Sequence, residues 1–161
     1  MEYLLAAADL DHPGAQADLG ARYYYGFDAE QDYEKALKYL LPAANQGNAD
    51  AQGILGEMYF YGNGVEKSME TSLEYTRQAA DQGNASALYA LGWHYEQGAG
   101  VRQDLGKALA CYQQAAALGF SKAQTYLGTL YEYGDGVEQS YVKAAELYQL
   151  AADQGDALAQ A

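Results

Sequence analysis

A right-handed α-α superhelical solenoid of antiparallel helix pairs is the all-α fold this sequence predicts, and three observations carry the prediction. Leu-Gly pairs stand at Leu19-Gly20, Leu55-Gly56, Leu91-Gly92 and Leu127-Gly128, a spacing of 36 residues without drift. The same step carries Tyr23 to Tyr59, Tyr95 and Tyr131, and Ala43-Ala44 to Ala79-Ala80, Ala115-Ala116 and Ala151-Ala152. Within one period, Ala51, Leu55 and Tyr59 recur at four-residue steps, and Ser72, Tyr75 and Ala79 at three and four, so each period holds two helices. Self-similarity at a fixed period of this length marks stacked supersecondary units that share one continuous core.

The elements follow in order. Tyr3-Leu4-Leu5-Ala6-Ala7-Ala8 matches Tyr39-Leu40-Leu41-Pro42-Ala43-Ala44, so the chain opens inside a second helix. Full repeats are expected at 15–50, 51–86, 87–122 and 123–158, after a partial repeat at 1–14 and before a new helix at 159–161. Asn48, Asn84 and Asp156 stand where each first helix needs an N-cap, and His12-Pro13 holds the same slot with proline in the tolerated first turn. First helices end at Gly62-Asn63-Gly64-Val65, Gly98-Ala99-Gly100-Val101 and Gly134-Asp135-Gly136-Val137, where glycine supplies a left-handed conformation. Asp32, Ser68, Asp104 and Ser140 then cap the second helices, which stop at Gly47, Gly83, Gly119 and Gly155. Gly20, Gly56, Gly92 and Gly128 lie inside helices, where glycine costs about 0.5–1 kcal/mol against alanine, so close helix approach is their expected use.

Composition narrows the function. Nine Lys and Arg against 22 Asp and Glu leave a net charge of −13, which repels nucleic acid and anionic membranes and favours a partner carrying Lys or Arg. No apolar run approaches the ~20 residues of a membrane span, and the opening residues lack the basic start of a signal peptide, so a soluble chain without direct membrane insertion is expected.

Catalytic chemistry needs convergent groups, and the sequence offers none. His12 and His94 fall on separate repeats, which argues against a metal pair. Cys111 takes the slot of Tyr39, Tyr75 and Leu147 and reads as a small buried hydrophobe. Gly98-x-Gly100 follows a helix and recurs as a turn, unlike a phosphate loop. The acids are scattered singly, without calcium-loop spacing, so no cofactor or metal is expected.

The combined pattern Ala-x-x-x-Leu-Gly, Tyr, Gly-x-Gly-Val, Lys-Ala, Ala-Ala, Gly resembles the Sel-one-like repeats, relatives of the tetratricopeptide repeats, over essentially the whole chain. Local departures are Gly26-Phe27-Asp28-Ala29, which lacks the second glycine and the valine, Thr71-Ser72 in place of Lys-Ala, and Gly106 near the start of one second helix. The first and second turns are therefore expected to deviate most.

The resemblance implies a non-catalytic adaptor, of the kind that assembles membrane-associated, secretory, degradation or host-interaction complexes. By analogy with tetratricopeptide architecture, variable first-helix positions line the concave binding face. These are Tyr24, Tyr25, Glu57, Phe60, Tyr61, Tyr89, Trp93, Glu96, Thr129, Glu132 and Tyr133, an aromatic and acidic set suited to a protein or peptide, with Trp93 as the expected anchor. The plainer reading is that part of this set packs between helices, as the periodic tyrosines do. Two other functions stay open: a structural block that self-associates through unsealed repeat ends, and a β-lactam-type hydrolase. Cysteine-rich relatives have been linked to penicillin-type substrates, but they carry a disulfide in each repeat, whereas Cys111 stands alone.

Overall fold

The computed structural model describes residues 2–155. These form α1 (Glu2–Asp9), α2 (Pro13–Tyr25), α3 (Tyr33–Asn45), α4 (Ala49–Tyr61), α5 (Met69–Asp81), α6 (Ala85–Gln97), α7 (Leu105–Ala117), α8 (Ser121–Tyr133) and α9 (Tyr141–Ala152). Each repeat is a helix pair, as the two periodicities within it predict. The expected Asp156 cap and the helix at 159–161 lie outside the described residues.

Two compact units are present, Met1–Ala87 and Leu88–Ala161. In the first, α2 packs on α1 and α3, and α4 packs on α3 and α5; in the second, α8 packs on α7 and α9. Ala36, Leu40, Ala43, Ala51, Leu55 and Met58 form the fully buried centre of the first unit. Leu19, Ala8, Ala15 and Tyr39 make a smaller cluster between α1 and the first repeat. Alanine predominates because small side chains let two helices approach closely while still removing apolar surface from water.

The glycine of each Leu-Gly pair is the contact point of its helix pair. A Cβ on Gly20 would stand 2.6 Å from Leu40 Cγ, one on Gly56 2.6 Å from Thr76 Oγ1, and one on Gly92 or Gly128 2.6 Å from the ring of Tyr112 or Tyr148. The second-helix residue 20 positions downstream therefore occupies the space that any larger side chain would need.

Hydrogen bonds at helix ends follow the expected caps. Asp32, Ser68, Asp104 and Ser140 accept from the backbone N–H groups of Lys35, Thr71, Lys107 and Lys143. Asn48 and Asn84 do the same for Ala51 and Ala87, and His12 accepts from Ala15 through Nδ1. The lysine of the Lys-Ala motif covers the periodic tyrosine: Lys35 lies over Tyr23, Lys107 over Tyr95 and Lys143 over Tyr131, at 5.3, 5.4 and 4.9 Å from the ring centroids.

The first and second turns do not deviate as the sequence suggests. After α2, Gly26 and Phe27 donate to the Arg22 carbonyl and Asp32 donates to that of Tyr23; after α4, Gly62, Asn63 and Ser68 make the matching bonds to Met58 and Tyr59. Asp28 adopts φ 56° where Gly64, Gly100 and Gly136 stand at 70–72°, because a short polar side chain tolerates the left-handed region. Asp11 likewise takes φ 59° at the register of Gly47.

Candidate interaction face

Two helical stripes build a face that forms a cavity in the first unit. On α2, Gly14, Ala17, Asp18, Ala21 and Tyr25 fall at steps of three and four, and on α4, Asp50, Gly53, Ile54 and Glu57 do the same. With Asn48, Asn84 and Ser86 they line a groove of about 400 Å³. Its floor is open because Gly14, Ala17, Ala21 and Gly53 are small, and Tyr25 and Ile54 supply its bulky walls.

The groove carries three carboxylates, each with a different neighbour. Asp18 pairs with Arg22 at 3.1 Å. Asp50 accepts the Asn84 amide at 2.8 Å. Glu57 accepts the Tyr25 hydroxyl at 3.1 Å. Burial, reinforced by the Glu57 charge, pushes the Tyr25 phenol well above its ordinary range, so it stays a neutral donor.

The structure distributes the predicted face residues unevenly. Tyr25 and Glu57 meet in the groove, whereas the adjacent Tyr24 is only 5% exposed, packs edge-on against Tyr25 and accepts a hydrogen bond from Asn63. Tyr24 is thus a core residue rather than a surface one: its position on α2 points it toward Tyr33 and the turn after α4. Phe60 is half-buried, with Tyr61 edge-on to it at 4.8 Å and Lys67 over its ring; Tyr61 itself is 64% exposed.

In the second unit the carboxylates serve tyrosines. Glu96 accepts from Tyr112 at 2.9 Å and from Tyr126 at 2.5 Å. Tyr89 packs on both of these rings and on Phe120. Glu132 accepts from Tyr148 at 2.7 Å, and Thr129 lies 3.2 Å from the same hydroxyl. Trp93 is half-buried and stands edge-on to His94, whose Nδ1 donates to the Ala99 carbonyl at 2.8 Å. Tyr133 is 67% exposed.

Asp18, Asp50 and the small floor residues were not singled out by the sequence, although their three-and-four spacing on α2 and α4 was readable there, and Asn48 was read only as a helix cap. Among the described residues, no three His, Cys, Asp or Glu side chains are grouped as a metal ion would require. Cys111 is a buried free thiol, and burial pushes its pKa up, away from a reactive thiolate. No described helix is long and apolar enough to cross a membrane.

Helix pairs repeating every 36 residues and closed by glycine turns define an α-helical repeat scaffold. The chain belongs to the Sel1 repeat family, whose model matches residues 13–48, 49–84, 85–120 and 121–156. It is similar to a Sel1 repeat protein from Oxalobacter formigenes, with 32% identity and a TM-score of 0.86 over 98% of this chain and 64% of that one. It is also similar to a protective antigen of uropathogenic Escherichia coli with an SLR fold, with 34% identity and a TM-score of 0.82 over 98% of this chain and 34% of that one. Helicobacter pylori cysteine rich protein B shares the fold at 22% identity, with a TM-score of 0.59 over 76% of this chain and 87% of that one. The chain therefore spans less than two thirds of the first two proteins. No curated protein matches it.

Proposed function

We propose that this Sel1 repeat scaffold is a non-catalytic adaptor that holds a Lys- or Arg-bearing segment of another protein against its first helices. The observation that carries the reading is the groove between α2 and α4, which combines an open small-residue floor with Asp18, Asp50 and Glu57. A net charge of −13 adds long-range attraction for a basic segment. Tyr25 offers an exposed rigid ring on its wall, a side-chain type enriched where binding energy concentrates.

The test is selection from a random peptide display library, followed by calorimetry of the selected peptides at low and high salt. Enrichment of Lys and Arg, with affinity falling as salt screens the charges, is expected. Selected peptides that are neutral or acidic, or binding insensitive to salt and to Glu57→Gln, would overturn the reading.

A further inference from the structure

The α2–α4 groove is more specific than an acidic surface. Its lining contains no lysine or arginine, so every charge facing the cavity from its lining is negative. Asp18 already has Arg22 as its counter-ion, whereas the bond described above for Asp50 comes from a neutral amide. Asp50 is exposed at the start of α4, and its Oδ1 alone receives the Asn84 amide. The aromatic wall at the other side is Tyr25, 44% exposed, with its hydroxyl tied to Glu57 so that the ring is held in place.

The capping asparagines differ in a way that bears on the backbone of a ligand. The Asn84 amide is spent on Asp50, but at the equivalent register of the previous repeat Asn48 faces Gly14, which has no side chain to accept. Asn48 uses its oxygen to cap Ala51, leaving its amide nitrogen as a donor on the groove wall.

We propose that this groove is the receptor for one arginine side chain of the partner segment, with the guanidinium between Asp50 and Glu57 against the Tyr25 ring, and Asn48 donating to a carbonyl of the same segment. The inference rests on the adaptor reading and adds the identity of the recognised residue. Arginine fits better than lysine because its planar guanidinium can meet a carboxylate with two parallel hydrogen bonds while stacking on an aromatic face. A cavity of about 400 Å³ has room for the whole side chain, and it falls in the ~300–1,000 Å³ range of small-ligand sites.

The experiment titrates N-acetyl-arginine N-methylamide into the ¹⁵N-labelled chain and follows backbone amide shifts, with the citrulline and lysine analogues as isosteric-neutral and point-charge controls. Saturable shifts centred on Gly53, Ile54 and Glu57 are expected for arginine, weaker ones for lysine and none for citrulline. Asp50→Asn and Glu57→Gln should each weaken arginine binding about tenfold while amide dispersion stays native. Equal responses to arginine and citrulline, shifts centred elsewhere, or unchanged affinity in both variants would overturn the inference. A selected peptide that binds the wild type and Asp50→Asn equally leaves the adaptor reading standing and removes the arginine receptor. Arginine binding in the groove without any selectable peptide does the reverse.

Discussion

The Tyr112 hydroxyl donates to the Glu96 carboxylate at 2.9 Å while the Tyr112 ring lies where a Cβ on Gly92 would stand. Glycine, tyrosine and glutamate act as one unit, and Gly128, Tyr148 and Glu132 repeat it 36 residues later. In the first two repeats the glycine faces Leu40 or Thr76, and the acid is replaced by Tyr24 or Phe60. At these two positions a hydroxyl from the second helix satisfies a carboxylate half-withdrawn from water.

Tyr112→Phe should cost about 1.5–3 kcal/mol, the range for a hydrogen bond to a charged group, with Tyr126 still holding Glu96. Urea denaturation of the variant against wild type measures this. Unchanged stability would mean that the Glu96 bond contributes nothing net.

Gly92→Ala should destabilise by about 1–3 kcal/mol, because overpacking against the Tyr112 ring at 2.6 Å outweighs the helix propensity gained. Gly53→Ala is the counter-case: its nearest neighbours stand at 3.8–4.0 Å, so alanine should stabilise by about 0.5–1 kcal/mol. Thermal melts of the two variants should therefore move in opposite directions.

Burial raises the phenols of Tyr112, Tyr126 and Tyr25, and the nearby Glu96 or Glu57 charge adds to the shift. A folded pKa above the unfolded value of ~10 means that this stabilisation is complete below pH ~10 and is lost as pH rises beyond it. Alkaline titration should show these three tyrosines ionising together with the loss of helical circular dichroism. Ionisation of all tyrosines at full helicity would contradict it.

Cys111 should react with a disulfide reagent only as fast as the chain opens, since its thiol is buried and its pKa raised. The rate should rise steeply with sub-denaturing urea, and rapid labelling of the native chain would place the thiol at the surface.

Caps and turns were legible because they rest on local chemistry. An aspartate or serine three residues before a free backbone N–H satisfies it wherever the helix points, so Asp32, Ser68, Asp104 and Ser140 could be named from register alone. The Gly26-Phe27-Asp28 turn misled because missing glycine reads as missing geometry, whereas Asp28 reaches the same left-handed conformation. A glutamine relay also went unnoticed. Gln46 donates to Gln16, Gln82 to Gln52 and Gln154 to Gln124, while the third repeat replaces both partners with Leu118 and Leu88. Pairwise substitution between register positions was the available signal.

Sequence by itself determined the period, the helix pairs, their caps and the glycine approach points, because each depends on spacing along one chain. Tertiary structure alone decided which aromatic and acidic residues face outward. Tyr24 and Tyr25 are neighbours of one type, yet one is buried beside Asn63 and the other walls a groove with Glu57. One helical step of about 100° separates them, and only the positions of α3 and α4 turn that rotation into core or surface. Glu96 and Glu132 were read as surface charge for the same reason: the tyrosines that engage them, 16 residues onward in each case, arrive on another helix.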